Sequence, residues 1–295
     1  MYIDVYDVGG TWTRGALAEF GKRRKFLSIC KERTEKDFCG QLGHLMIKVR
    51  EDTIPEYTAI LVPGPVESNS ILRKSPPLEI KYPINLRRRL EGFCKHLLVE
   101  NDMNGALEAE LCEGYGKKYR NFYLLTFSTG IGAGVVCNGI PKKGNSGEVG
   151  HIVLEGHSDV KCGCGNNGCW GAFCSGNGIE NLAQRMMKTQ MSCEEVFTEA
   201  ERGRTSAKDL IEIVQEYNAQ GIGTMLNVLD TDAIIVMGSI GIQQFNKIIP
   251  ARNKIKKYTI NPIPIITPTL LGDNIGLIGA YHLAAKKVRR KLYGE

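Results

Sequence analysis

The sequence predicts an α/β protein, on three observations. Short β-branched runs alternate with amphipathic stretches along the chain, the pattern of strands interleaved with helices. Three apolar runs end directly in glycine-rich turns, and glycine is over-used at 34 of 295 residues, against a usual ~7%. Hydrophobic residues at 42% and charged residues at 24% sit near globular usage, so a disordered or fibrous chain is excluded.

Taken in order, strands are expected over residues 2–8, 58–63, 97–100, 122–127, 134–137, 233–237 and 264–266, each a short apolar run bounded by turn residues. The helix expected over 103–116 carries Met103, Ala106, Leu107, Glu110 and Leu111 at helical spacing. A helix over 178–188 sets Ile179, Leu182, Ala183 and Met186 on one face. Ser192 and Glu195 form a capping box that opens a third helix, and longer ones are expected over about 206–228 and 275–290. The length allows one large or two ordinary domains, divided near residue 100 into a smaller domain, 1–100, and a larger one, 101–274.

Net charge is +6. The basic runs Arg87-Arg88-Arg89 and Lys286–Lys291 have no interleaved aromatics, so they read as solvated faces and no nucleic-acid partner is expected. No apolar run approaches the ~18 residues of a membrane span, and the first residues lack the basic-then-apolar pattern of an export signal. A cytoplasmic protein is therefore expected, with its ten cysteines reduced. Cys162, Cys164 and Cys169 crowd together, while the other seven are scattered as small core hydrophobes.

Asp7-Val8-Gly9-Gly10-Thr11 follows the first strand. Its glycines turn the backbone sharply and free N–H groups for an anionic phosphate, Thr11 adds a hydroxyl, and Asp7 suits a hydrated Mg²⁺. The same residues would equally make an ordinary Gly-Gly turn. Ser128-Thr129-Gly130-Ile131-Gly132-Ala133-Gly134 matches neither the Walker pattern nor the dinucleotide fingerprint, but suits a hairpin whose hydroxyls face a phosphate. A third turn, at Gly238-Ser239-Ile240-Gly241, ends a buried strand. Three such turns suggest a nucleotide held between two lobes.

These segments fall in one order with Gly64-Pro65-Val66, Glu100-Asn101-Asp102, Gly147-Glu148-Val149-Gly150-His151, Cys162-Gly163-Cys164-Gly165-Asn166-Asn167-Gly168-Cys169 and Leu271-Gly272-Asp273-Asn274-Ile275-Gly276-Leu277-Ile278-Gly279-Ala280. The ordered set resembles the ROK family of sugar kinases and sugar-responsive repressors, within the actin-like, ribonuclease H-like fold. The resemblance implies two α/β lobes flanking a cleft, the last helix, about 275–295, completing the first lobe. It implies an ATP-dependent kinase that phosphorylates the 6-hydroxyl of a hexose, glucose or an N-acetylhexosamine such as N-acetylmannosamine. The alternatives it admits are a catalytically idle sugar-binding relative and a sugar-sensing regulator; the regulators carry a helix-turn-helix domain before the Asp7 motif, where six residues stand here.

By the same resemblance, Asp7, Gly9, Gly10, Thr11, Thr129, Gly130 and Gly132 would meet the nucleotide phosphates, Gly238 and Ser239 would lie beside the adenosine, and Asp7 would serve Mg²⁺. Gly64, Asn101, Asp102, Glu148 and His151 would meet the sugar, and relatives suggest a homodimer. A kinase must aim a hydroxyl at the γ-phosphorus, neutralise charge and accept one proton. Asp102 is the expected base, at a strand end where a helix N-terminus would keep it ionised; the same place suits an N-cap, with Asn101 a turn residue. His151, Cys162, Cys164 and Cys169 make a closed tetrahedral set suited to structural Zn²⁺. A zinc knuckle for nucleic acid is the alternative, disfavoured by the single cluster.

Four departures stand out. Ser128 replaces the family's glycine, and Trp12 replaces its Lys or Asn. The usual glutamate two residues past the last zinc cysteine is Gly171, with Trp170 before it as an alternative apolar face for the sugar. The usual Asn is not found among Ser75-Pro76-Pro77-Leu78.

Overall fold

In the computed structural model, which describes residues 1–21, 23–142 and 146–294, the chain divides into two units, Met1–Lys117 with Asp273–Glu295, and Lys118–Gly272. Both are α/β, as the alternating pattern predicts.

The first unit is built on strands β1 (Tyr2–Val8), β2 (Trp12–Glu19), β3 (Lys25–Arg33), β4 (Tyr57–Val62) and β5 (His96–Asn101), in the order β3-β2-β1-β4-β5. The β1, β4 and β5 strands run parallel; β2 and β3 add an antiparallel edge. Alternation along β1 feeds two cores. Tyr6 and Val8 pack with Phe38, Leu42 and Met46 of helix α1 (Phe38–Arg50), while Ile3 and Val5 pack with Leu277, Ala280 and Tyr281 of the C-terminal helix (Ile275–Tyr293). Glu295, the end of the expected last segment, lies outside the described residues. The β2–β3 pair and α1 escape the strand and helix patterns read above. Trp12–Glu19 is mostly small residues interrupted by Arg14 and Gly15, and β3 is half exposed along its length.

Helix α2 (Asp102–Glu113) stays with this unit, whereas the sequence places it at the start of the second domain. The reason is close backbone packing. A Cβ added at Gly279 of the C-terminal helix would lie 1.9 Å from the Gly105 carbonyl oxygen, and one at Gly105 would meet the Leu61 side chain at 2.2 Å.

The second unit has strands β6 (Phe122–Phe127), β7 (Ile131–Cys137), β8 (Ile140–Pro141), β9 (Ala233–Met237) and β10 (Ile265–Pro268), ordered β8-β7-β6-β9-β10. The β6–β9 and β9–β10 pairs are parallel, and β6–β7 is a hairpin. Helices α3 (Trp170–Cys174), α4 (Gly176–Met187), α5 (Cys193–Glu201) and α6 (Thr205–Val228) cover it, α5 opening on the expected Ser192–Glu195 capping box. Phe127, Trp170, Phe173, Leu210 and Val214 lie in its core. Among the described residues no helix is long and apolar enough to cross a membrane.

Candidate functional site

In the first unit, three of the expected segments leave the same edge of the sheet. Asp7–Thr11 follows β1, Gly64 follows β4, and Asn101–Asp102 closes β5; these strands are parallel, so all three segments emerge at their C-terminal ends, where α/β sheets place ligands. Register sets Asp7 level with Leu61, and Leu61 level with Glu100. Asp7 and Glu100 therefore lie two strand spacings apart, roughly 10 Å across the sheet, with Asp102 two residues further on.

Gly9 to Trp12 closes the first turn: the Gly9 N–H donates to Trp12 O at 2.9 Å, and the Thr34 hydroxyl donates to Gly9 O at 2.6 Å. Gly10 and Thr11 are exposed at its tip. Gly64 has φ +140, and a Cβ there would lie 2.4 Å from Lys74 O, so glycine is required. Its carbonyl accepts from Asn101 Nδ2 at 3.2 Å, which joins two of the residues expected to meet a sugar.

Asn101, not Asp102, caps the helix: its Oδ1 accepts from the N–H groups of Met103 at 3.0 Å and Asn104 at 3.2 Å. The Asn101 side chain also hydrogen-bonds the Asp102 carboxyl. Asp102 takes the first helical position, its Oδ1 accepting from Met103 N at 2.8 Å. Burial, and then the charge of Asp7, push its carboxyl up to about 7. The helix N-terminus thus does not hold Asp102 fully ionised, because desolvation outweighs it.

Burial also raises Asp7, opposed by Arg14 and assisted by Asp273. Arg14 Nη1 stands 3.8 Å from Asp7 Oδ2, and Arg14 Nη2 stands 3.4 Å from Asp273 Oδ2. A Cβ at Gly276 would sit 2.3 Å from Asp7 Oδ2. Sequence reasoning passed over Arg14, Asp273 and Gly276 as functional residues. Their roles come from contacts more than 250 residues apart in the chain; the signal was the motif 271–280, which carried no assigned role.

In the second unit, parallel pairing of β6 with β9 sets the Thr129 and Gly238 turns side by side. Gly238 has φ +87, and a Cβ there would strike Phe127 O at 2.3 Å. Ser239 opens the short helix that follows. Thr129 and Gly130 are exposed at the hairpin tip, where Ser128 N donates to Gly130 O at 2.9 Å. A Cβ at Gly130 meets nothing within 4 Å and one at Gly132 meets only Thr126 at 3.7 Å, so packing in the chain itself requires glycine at neither.

Gly147 presses on the same hairpin: its carbonyl accepts from Ala133 N at 2.7 Å, and a Cβ there would overlap Ala133 O. This holds the Val149–His151 turn, with Glu148 exposed before it. His151 Nδ1 lies 3.4 Å from Cys162 Sγ, and Cys164 Sγ lies 3.8 Å from Cys169 Sγ. The four ligand atoms all lie within 4.8 Å of one another. A tetrahedral centre with metal–sulfur bonds of about 2.3 Å has sulfur–sulfur edges of about 3.8 Å, so the donor set fits one ion with no open position. With Nδ1 turned to the thiols, Nε2 faces outward, 3.8 Å from Glu148 Oε2.

Trp170 corrects an expectation. It offers no face to a ligand, being fully buried in the core, with Nε1 donating to Asn218 Oδ1 at 2.7 Å. Gly171 lies in helix α3 without positive φ, and a Cβ there would stand 3.1 Å from Gly150 O, next to His151. In the altered loop, Ser75 is buried with its hydroxyl unpartnered, and Pro77 lies 3.0 Å from where a Gly10 Cβ would be.

The family model described as "ROK family" matches residues 6–287. The chain is similar to a glucokinase of Pyrobaculum calidifontis, at 30% identity over 289 residues, covering 95% of this chain and 94% of that protein. It is similar to an N-acetylmannosamine kinase of Haemophilus influenzae, at 27% identity, covering 93% and 92% of the two chains. A ROK family glucokinase of Streptomyces griseus, solved with glucose and AMPPNP, superposes with TM-score 0.80 at 22% identity over 96% of this chain and 99% of that one. That likeness shows the actin-like sugar-kinase fold.

Proposed function

The chain belongs to the ROK family, and from that premise we propose that it is an ATP-dependent sugar kinase transferring the γ-phosphoryl group to the 6-hydroxyl of a hexose, glucose or an N-acetylhexosamine such as N-acetylmannosamine. The observation that carries this reading is Asp102: a partly buried carboxyl at the end of a parallel strand, raised to about 7, beside exposed glycine turns suited to phosphate.

In the proposed reaction the Asp102 carboxylate accepts the proton of the sugar hydroxyl as its oxygen attacks the γ-phosphorus; the bond to the β–γ bridging oxygen breaks and ADP leaves. Gly64, the Asn101 amide, Glu148 and His151 Nε2 hold neighbouring hydroxyls. Asp7, Gly9, Gly10 and Thr11 serve the donor's phosphates, as do Thr129, Gly130 and Gly132, with Gly238 and Ser239 at the adenosine. Asp7 would hold Mg²⁺, which would supply charge neutralisation for the phosphoryl group. His151, Cys162, Cys164 and Cys169 would hold Zn²⁺, which would supply no chemistry to the reaction and would fix the ring of His151. An ADP-release assay with glucose, mannose, fructose, N-acetylglucosamine and N-acetylmannosamine tests the reading. ADP release that no sugar raises above the sugar-free rate would overturn it.

Gly171 bears on selectivity. A Cβ there would stand 3.1 Å from Gly150 O, the residue before His151, and the charged hydrogen bonds a carboxylate could make to a sugar are worth about 1.5–3 kcal/mol each. Without it, fewer buried groups are left unpaired by a wrong sugar, so kcat/KM should vary less than about a hundredfold with change at C-2. Gly171→Glu should narrow that range; with no positive φ, it requires a shift of only a few tenths of an ångström from the Gly150 carbonyl. A wild-type preference above about a thousandfold for one C-2 configuration would show that another residue supplies the lost contact.

A further inference from the structure

We propose that Trp170 is a positioning residue: locked by Asn218, its indole ties the metal-binding segment to the turn that ends β6, so that sugar and phosphate contacts of the second unit are set together. The proposal rests on the kinase reading above and deepens it.

Trp170 stands between the ligand Cys169 and Gly171. Its backbone N–H donates to Ile152 O at 2.8 Å, next to His151, and the neighbouring Gly171 backs onto Gly150. Chain and helix thus bind it to the segment that carries Glu148 and His151. The ring reaches the other way. It meets Phe127 edge-on, with centroids 5.9 Å apart at 77°, and Phe127 precedes the Ser128–Gly130 turn. The Phe127 backbone also seats Gly238, and Ser128 O accepts from Gly176 N at 2.8 Å, where helix α4 begins behind α3. Trp170 therefore joins the two segments, through its backbone on one side and its ring on the other.

Its orientation is fixed rather than merely accommodated. Asn218 is buried on α6, accepts from the indole N–H, and donates through Nδ2 to Ile248 O at 2.8 Å. Both buried polar groups are satisfied only when the ring lies one way. On the same face of α6, a Cβ at Gly221 would stand 2.4 Å from the ring, so glycine alone leaves the slot open.

The test uses Asn218→Leu and Trp170→Leu in the full chain, with AMPPNP and Mg²⁺ titrated in the presence and absence of the hexose that the wild type phosphorylates best. In the wild type the hexose should tighten AMPPNP about fivefold or more. In both variants that factor should fall toward one and kcat should drop about tenfold or more, with AMPPNP affinity in the absence of hexose within about threefold and bound zinc unchanged. If Trp170→Leu does not fold, Asn218→Leu, which keeps the branching of the side chain, decides. A wild-type factor of one, or variants that lose melting temperature while keeping the factor and kcat, would overturn the proposal and leave the kinase reading standing. If no hexose is phosphorylated, the kinase reading falls. The tie is then read in Trp12→Phe protein, where Trp170 is the single tryptophan: its emission should shift both on zinc chelation and on AMPPNP, and no shift with either would overturn it.

Discussion

Asp102→Asn should lower kcat by about 10²–10⁴, the usual worth of a positioned proton acceptor, while the affinity for the sugar stays within a few-fold. Asn keeps the size and the acceptor oxygen that Met103 N–H uses, so the loss falls on proton transfer. The pH profile gives a second reading. Burial and the Asp7 charge raise the wild-type carboxyl to about 7, and a protonated carboxyl cannot accept; kcat/KM should therefore climb through that pH and level above it. In the variant that limb should vanish. Stability follows the same sign: because the folded value lies above the ordinary ~3.9, ionisation of Asp102 opposes folding, and the wild type loses that stability as pH rises from about 4 to about 7. The variant escapes the loss, so its melting temperature relative to wild type should be higher at about pH 8 than at about pH 4. Steady-state kinetics, sugar calorimetry and thermal melts measure the three. A variant with half the wild-type kcat would remove Asp102 from the mechanism.

The parts of the fold legible in the sequence are those buried on both faces: β6 and β9, near-continuous apolar runs, and β1, whose apolar run is interrupted by Asp4 and Asp7, stand where the runs 122–127, 233–237 and 2–8 predict them. Helix α6 and the capping box at Ser192 follow from period and from local chemistry. The β2–β3 edge was not legible, since Gly15 breaks its pattern. That glycine is explained only by the third dimension: a Cβ there would strike the Tyr6 ring at 2.7 Å. Likewise the sequence places Asp102 next to a helix N-terminus and cannot show that Asn101 takes the cap, nor that Asp7, nearly a hundred residues earlier, raises its pKa. The four metal ligands were legible as residue types at close spacing, whereas the burial of Trp170 depends on Asn218 and Gly221 in a distant helix.

Cys164→Ser should abolish metal binding and lower the melting temperature of the free protein by roughly 10 °C. The magnitude follows from linkage: an ion bound only by the folded chain, with free metal about a thousandfold above its Kd, stabilises by about 4 kcal/mol, and about 1 kcal/mol corresponds to about 2–4 °C for a unit of this size. Cys164 is the ligand to change because it is exposed, while Cys169 is buried; serine at 164 opens no cavity, so lost stability reports the metal alone. Between residues 153 and 169 the segment forms no regular strand or helix beyond the bridges of Val153 with Cys169 and Lys161 with Asn167, and Gly165 and Gly168 turn it through positive φ; its ties to the helices are Arg185 on Asp159, the Tyr217 hydroxyl on Glu155 and Gln220 Nε2 on Leu154 O. Release of the ion therefore leaves the His151 ring, half exposed, without its anchor at Nδ1. The sugar's KM should rise about tenfold or more, since a freed ligand-orienting group commonly costs 10–100-fold, while the nucleotide's KM, which under the proposed function rests on the Asp7–Thr11, Thr129 and Gly238 turns, moves less. Elemental analysis of the wild type should find one zinc per chain. Freshly purified protein with full activity and no zinc would defeat the assignment, and so would a Cys164→Ser protein that keeps its metal.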